Sequence, residues 1–168
     1  MEPDTIKRIK SYTSSGVTVL ESEQLVNANI EAVWDFFSSP ANLSKITPPE
    51  MNFRITGTDF EKKAYPGQII TYRLSPFRHI SVDWVTEITV VKELSFFIDE
   101  QRFGPYRFWH HRHFFEKAGT KTLMKDIVTY KVPGLLFAPV INKLLIKPRV
   151  TRIFEHRFKK VMELFPDQ

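Results

Sequence analysis

The chain of 168 residues contains no cysteine. Disulfide bridges, thiol nucleophiles and cysteine-ligated zinc are therefore excluded, and the composition suits a reducing compartment. The apolar runs fall well short of the roughly 20 residues that a transmembrane helix needs, and the N-terminal residues lack the apolar segment of a secretory signal. These features predict a soluble, cytoplasmic protein. Because a chain of this length buries roughly 70% of its unfolded surface, we expect it to fold without a disulfide or a metal ion.

Several motifs that mark enzymes are also missing. The sequence has no Gly-rich phosphate loop, no Gly-x-Ser-x-Gly nucleophile turn and no His-Glu-x-x-His metal motif. Aromatic residues, by contrast, make up 14% of the chain and occur in every predicted strand and helix. They indicate either a tightly packed core or a cavity for a flat or apolar ligand.

The net charge of +5 is modest and predicts an ordinary solvated surface. The alternative is attraction to an acidic partner or a weak contact with an anionic membrane surface. Basic residues gather in the last third of the chain, at Lys143, Lys147, Arg149, Arg152, Arg157, Lys159 and Lys160.

Seven runs of residues alternate between apolar and polar side chains, which predicts strands with one buried and one solvated face. The connections between them are short, so the strands are expected to pair antiparallel. The runs cover residues 17–26, 53–56, 68–74, 80–91, 94–103, 106–116 and 122–132. Residues 1–16 are polar and are predicted to form an N-terminal arm, followed by a single domain over residues 17–168.

Helical spacing appears at two places. After the first strand, Asn29 can cap a short helix through Phe37, and a second short helix follows Pro40. Near the C-terminus, a long helix is predicted over residues 150–165 from the stripe Val150, Phe154, Phe158, Val161 and Phe165. This order of elements predicts an α+β helix-grip fold, in which a curved seven-stranded antiparallel sheet wraps around the C-terminal helix and leaves a ligand cavity between them.

Two stretches resemble the SRPBCC superfamily, which includes START-like and polyketide cyclase-like proteins. The first is the sequence from Ile30 to Pro40. The second stretch is more specific and resembles a bacterial subfamily labelled cell-division-inhibitor-like or cyclase/dehydrase-like. The residues that carry this resemblance are Phe97, Ile98, Asp99, Glu100, Gln101, Gly104, Pro105, Tyr106, Trp109, His111, His113, Phe115, Asp126 and Tyr130. The resemblance covers about residues 17–166. It implies the fold and an internal cavity, but not a reaction.

Five polar residues lie at strand positions whose side chains are predicted to point toward the inside of the sheet: Asp99, Gln101, His111, His113 and Asp126. Polar groups buried among apolar neighbours must be hydrogen-bonded or paired. Three interpretations remain open at this point. The residues form a closed structural network, or they form the polar end of an apolar cavity, or they carry acid/base chemistry or bind a metal through a two-histidine, one-carboxylate set.

The leading functional prediction is noncovalent binding or carriage of a small hydrophobic molecule, rather than catalysis, without a cofactor or metal ion. One alternative is a cyclase or dehydratase that uses His111, His113 and Asp126 as acid/base groups, and another is a partner-binding regulatory domain without a ligand. We expect no nucleic-acid binding. The predicted ligand contacts are Tyr72, Trp84, Ile88, Phe97, Asp99, Gln101, Trp109, His111, His113, Met124, Asp126, Val128, Phe137 and Ile141.

Overall fold

The computed structural model describes residues 7–57, 59–60, 62–77, 79–134 and 136–166. Within these residues the fold is α+β, with one curved antiparallel sheet and a long C-terminal helix. The sheet has eight strands in the order β1-β2-β8-β7-β6-β5-β4-β3. The strands are β1 (Lys7–Ser14), β2 (Val17–Val26), β3 (Arg54–Ile55), β4 (Gln68–Phe77), β5 (Ile80–Lys92), β6 (Phe96–Phe103), β7 (Phe108–Ala118) and β8 (Lys121–Lys131).

The sequence prediction of seven strands is wrong by one, because the predicted N-terminal arm contains β1. This strand pairs with β2 along its whole length, and Ser14 lies opposite Val17. The two residues between them, Ser15 and Gly16, have φ values of 51° and 74°, as a tight hairpin turn requires. Most side chains of β1 are exposed. The strand therefore lacks the apolar alternation from which the other seven were predicted.

The two short helices after the first predicted strand are confirmed. Helix α1 (Ile30–Phe37) begins after Asn29, whose side chain accepts a hydrogen bond of 2.9 Å from the backbone of Ala32. Single 3₁₀ turns lie on either side of helix α2 (Leu43–Ile46). Together these elements cross one end of the sheet and contribute apolar side chains to the core.

The long C-terminal helix is also confirmed, although it starts earlier than predicted. It consists of α3 (Ala138–Ile141), a π-helical turn (Asn142–Ile146) and α4 (Lys147–Leu164). Pro148 lies in the first turn of α4, where a missing backbone N–H costs little. Among the described residues, no helix has the length and apolar character needed to cross a membrane.

Helix α4 packs its apolar face against the concave face of the sheet, where β2 and β8 lie beneath it. At one end Val150 and Phe154 pack with Leu20 and Val128. At the other end Val161 joins a cluster that includes Met124, Phe115, Phe97, Trp34 and Phe37. The pairing register shifts once between β4 and β5 and twice between β5 and β6. Such shifts bend the other half of the sheet. The concave face over β4 to β7 is therefore only partly covered by α4.

Candidate functional site

A cavity of about 210 Å³ lies between α4 and the half of the sheet formed by β4 to β7. Its walls are mainly apolar and include ten Phe, Tyr and Trp side chains. Trp84 and Trp109 meet edge to face with ring centroids 5.3 Å apart, and Tyr72 stacks on Trp84 at 5.8 Å. The segment from α1 to α2 and the end of β4 complete the lining. Such a concave, largely apolar space with a few polar groups is typical of a small-molecule site.

Two histidines of β7 and two aspartates of the neighbouring strands meet on the concave face. Asp99 lies opposite His111 in the β6–β7 ladder, and Asp126 lies opposite His113 in the β7–β8 ladder. His113 Nε2 is 2.6 Å from Asp99 Oδ2, and His111 Nε2 is 3.0 Å from Asp126 Oδ1. The two imidazole rings have centroids 3.7 Å apart. Alternation along three adjacent strands thus gathers four polar side chains in one place.

The remaining ring nitrogens also face carboxylates. His113 Nδ1 lies 2.8 Å from Asp126 Oδ1, and His111 Nδ1 lies 3.5 Å from Asp99 Oδ2. A fifth residue, Arg157 of α4, approaches from above, with its Nη2 atom 3.3 Å from Asp126 Oδ1. We call these five residues the polar cluster. Helix and sheet are therefore joined by buried charges as well as by apolar packing.

The surroundings set the charges within the polar cluster. Burial by itself raises the pKa of Asp126, but Arg157 and the two histidines hold that pKa well below its usual value. For Asp99, burial is likewise outweighed by His111 and His113, so its pKa is also lowered. Both carboxyl groups are therefore ionised near neutral pH.

The pKa values of the two histidines shift in opposite directions. Burial lowers the pKa of His113, but contacts with Asp126 and Asp99 at its two ring nitrogens outweigh burial and raise it. Burial and the neighbouring His113 lower the pKa of His111 in spite of the same two carboxylates. These directions favour an imidazolium at His113 and a neutral His111, a combination in which His113 and the Arg157 guanidinium balance the two carboxylates. A cluster without net charge can be buried at much lower cost than an unpaired charge.

Four members of the polar cluster face the cavity: Asp99, His111, His113 and Arg157. Asp126 lies behind them with 0% of its surface exposed. Most of the cavity wall is therefore apolar, and one side of it is polar. On the polar side, contacts with the buried Asp126 hold the hydrogen-bonding side chains in place. Trp84 also lines the cavity, and its indole N–H has no hydrogen-bond partner among the described residues.

Most of the sequence-predicted contacts do lie in the cavity wall. These residues are Tyr72, Trp84, Ile88, Phe97, Asp99, Trp109, His111 and His113. All belong to β4, β5, β6 or β7, the strands that α4 leaves partly uncovered. Parity along a strand indicated which side chains point inward. Parity could not indicate which inward side chains remain accessible.

The other predicted contacts lie elsewhere. Met124, Asp126 and Val128 of β8 are inward and buried, but α4 covers this strand, so they lie outside the cavity lining. The side chain of Gln101 bonds the backbone of Tyr106 instead, with its Nε2 atom donating over 2.7 Å. Phe137 and Ile141 are exposed on the outer side of the C-terminal helix.

Sequence reasoning missed the role of two basic residues. It placed Arg157 and Arg149 among the solvated basic residues, whereas Arg157 is buried in the polar cluster and Arg149 lines the cavity. A signal for Arg157 was available, because it falls three residues after Phe154 and four before Val161. At helical spacing these positions share one face. The basic residue on an apolar face indicated a buried acidic partner.

The polar cluster also contains a set of atoms that could hold a metal ion. One ligand atom from each of Asp99, His111 and His113 lies within 4.8 Å of the others. A metal would require ring nitrogens that are free of protons. In the structure the two nitrogens of His113 already face carboxylates at 2.6 and 2.8 Å. The arrangement thus fits a paired imidazolium, and the expectation of no metal stays a prediction.

Neither a protein-family model nor a curated protein sequence matches this chain. Solved structures do match. Protein Ms6760 from Mycobacterium smegmatis has a TM-score of 0.67 at 17% identity, over 95% of this chain and 96% of that chain. A START superfamily protein from the same organism has a TM-score of 0.63 at 15% identity, over 87% and 98%. The chain therefore has the same fold as the START superfamily protein.

A third structure with this START-like fold is an enzyme. Norcoclaurine synthase from Thalictrum flavum, solved as a point mutant in complex with a transition-state analogue, has a TM-score of 0.61 at 14% identity. The match covers 94% of this chain and 99% of that chain. The predicted superfamily resemblance is confirmed at the level of the fold. The predicted subfamily stays a prediction.

Proposed function

We propose that the protein binds a small, largely apolar molecule noncovalently in the cavity, with a polar group of that molecule held at the polar cluster. One observation carries this proposal: an apolar cavity with ten aromatic side chains in its lining ends in a wall of charge-balanced residues whose anchor, Asp126, is fully buried. Apolar walls favour a ligand that moves apolar surface out of water into the cavity, and each Å² of that surface contributes roughly 25 cal/mol of binding free energy. The polar wall supplies orientation and selectivity.

The charges of the cluster indicate the kind of polar group that it accepts. Its two carboxylates are already paired with His113 and Arg157, so no unpaired charge remains to attract an ion. The indole N–H of Trp84 can donate to an uncharged group, whereas a neutral His111, whose Nε2–H donates to Asp126, can accept through Nδ1. At the polar cluster, a hydroxyl or carbonyl on an otherwise apolar skeleton therefore fits better than a strongly charged group, although Arg149 lines the cavity outside the cluster. The norcoclaurine synthase complex supports the ability of this fold to accept a small organic molecule.

The three tryptophans of the chain allow a direct test. Trp84 and Trp109 line the cavity, whereas Trp34 lies outside its lining. Three variants would each keep one tryptophan and carry phenylalanine at the other two positions. A brominated medium-chain alcohol quenches tryptophan only on contact. We expect saturable quenching in the variants that keep Trp84 or Trp109, and no quenching in the variant that keeps Trp34.

A second comparison tests the polar wall. The brominated alcohol and the brominated alkane of the same length differ only in the hydroxyl group. His111→Gln should weaken binding of the alcohol by about tenfold, which corresponds to roughly one lost hydrogen bond, and leave binding of the alkane unchanged. Equal quenching of all three tryptophans, or no quenching, would overturn the proposal. Native mass spectrometry of the purified protein would then show whether another molecule already fills the cavity.

Acid/base catalysis of the cyclase or dehydratase type is the second candidate. The observation in its favour is that His111, whose pKa is lowered, lines the cavity beside an ionised carboxylate. A neutral imidazole of this kind can accept a proton from a bound substrate. Catalysis would require that His111→Gln abolishes turnover of the bound molecule while binding persists. If no small molecule binds at all, the regulatory, partner-binding alternative becomes the leading one.

A further inference from the structure

An exposed stripe of large apolar side chains covers the outer side of the C-terminal helix at its beginning. The relative exposure ranges from 36% at Ile141 to 88% at Leu136. Contiguous exposed apolar patches on a protein surface commonly mark an interaction site. We call these residues the apolar stripe: Leu136, Phe137, Val140, Ile141, Leu144 and Leu145.

The helix is anchored on its opposite side, so the outward direction of the stripe is fixed by packing. Asn142 is buried, and its Nδ2 atom donates to Thr18 Oγ1 over 2.7 Å. Its Oδ1 atom accepts a hydrogen bond of 3.1 Å from the Tyr130 hydroxyl. Further along, Val150 is buried against the sheet. Because Asn142 and Val150 face inward, apolar residues on the other side of this helix, among them Val140 and Leu144, are exposed to solvent.

The sequence that contains the stripe carries charges of one sign only. From Ile127 to Phe154 the sequence contains no Asp or Glu. Its charged side chains are basic, and none of them takes part in an ion pair among the residues that the structure describes. These cations are Lys131, Lys143, Lys147, Arg149 and Arg152.

The same end of the sheet adds to this surface. Phe108 begins β7 and lies opposite Lys131, the last residue of β8. Phe103 ends β6 at that end, and both phenylalanines are exposed. Arg107, next to Phe108, is exposed as well. One end of the molecule thus combines apolar side chains with unpaired cations.

We propose that this end binds the surface of a bilayer that contains anionic lipids, with the apolar stripe inserted at the interface and the lysines among the headgroups. An interfacial helix needs an apolar face and flanking basic residues, and it typically enters about 5–10 Å into the headgroup and acyl boundary. The uniform positive charge matches an anionic surface better than a protein surface of mixed sign. This proposal does not rest on ligand binding in the cavity.

Flotation with lipid vesicles tests the proposal on the full chain. Wild type should float with vesicles of phosphatidylcholine and phosphatidylserine, and more weakly with vesicles of phosphatidylcholine alone. The double variant Phe137→Ser, Leu144→Ser should lose flotation. Its matched control is Met162→Ser, Leu164→Ser, which removes two exposed apolar residues at the other end of the helix and should float like wild type.

Charge variants separate the electrostatic contribution. Lys143→Gln and Lys147→Gln should each lower the partition coefficient on the anionic vesicles by about fivefold, and Lys159→Gln should change it little. Added salt should weaken wild-type binding. Sedimentation of the protein alone, without vesicles, tests a second copy as the occupant. Failure of wild type to float, equal flotation of both double variants, or a dimer that dissociates on Phe137→Ser would each overturn the proposal.

Discussion

His111 and His113 are two residues apart on one strand and share the same two carboxylates, yet their pKa values move in opposite directions. His113 has a carboxylate within 2.8 Å of each ring nitrogen, which favours the imidazolium. His111 has one such close contact, at 3.0 Å, and a longer one of 3.5 Å. Two imidazolium ions with ring centroids 3.7 Å apart would repel each other. The structure therefore favours one charged and one neutral imidazole.

This difference predicts a stability maximum near the pKa of an unfolded histidine, about 6.5. Above that value the folded state keeps the proton of His113 that the unfolded state has lost, so stability decreases as pH rises through the raised folded pKa. Below that value the unfolded state gains a proton on His111 that the folded state does not take up. Stability therefore also decreases as pH falls.

Urea unfolding of wild type and two variants, between pH of about 5 and about 8, measures this directly. His113→Gln should flatten the decrease on the alkaline side, and His111→Gln should flatten the decrease on the acidic side. His110→Gln, on the opposite face of the same strand, serves as the control and should keep the wild-type profile. A wild-type profile that is flat between these limits would contradict the assigned protonation states.

At the scale of the element, α4 does more than cover the sheet. It places Arg157 next to Asp126, a carboxylate with 0% of its surface exposed. It also leaves β4 to β7 partly uncovered, which creates the cavity. The sequence of one helix thus determines both where the core is sealed and how a buried charge is balanced.

Arg157→Leu should lower the free energy of unfolding by about 3–5 kcal/mol, because it leaves one negative charge of the buried polar cluster unbalanced. Arg152→Leu removes an exposed arginine from the same helix and should change the free energy by less than about 0.5 kcal/mol. Both values come from urea unfolding near neutral pH. If the two variants were equally stable, the ion pair between Arg157 and Asp126 would not contribute to the fold.

At the scale of the whole molecule, the domain has an apolar core at both ends of α4 and a charge-balanced cluster between them. Hydrophobic burial supplies the main driving force for folding. The cluster is paired internally, so no bound cation is required to neutralise its carboxylates. The stability of the protein should therefore be independent of metal ions.

Incubation with a strong chelator should leave the thermal unfolding midpoint unchanged, and elemental analysis of the purified protein should find substoichiometric zinc and iron. His111→Gln is the matched comparison, because it removes one atom of the only three-residue set that qualifies as a metal site among the described residues. Its response to chelator should equal that of wild type. Stoichiometric metal whose removal unfolds the protein would refute this prediction.

Much of the fold was predictable from the order of residues, because alternation and helical spacing reflect burial on one face of each element. From this signal came seven of the strands, both short helices and the C-terminal helix. It also placed Asp99, His111, His113 and Asp126 on one face of the sheet. Strand β1 gave no such signal, since most of its side chains are exposed on both faces.

Which inward residues reach the cavity, and which partners they have, depends on how the helix packs on the sheet. Periodicity reports the direction of a side chain along its own element, but it carries no information about what packs over it. Met124 and Val128 alternate like Trp84 and Trp109, yet α4 covers β8 and leaves β5 and β7 partly open. The contact between Arg157 and Asp126 joins elements distant in sequence, so it exists only after the helix has docked on the sheet.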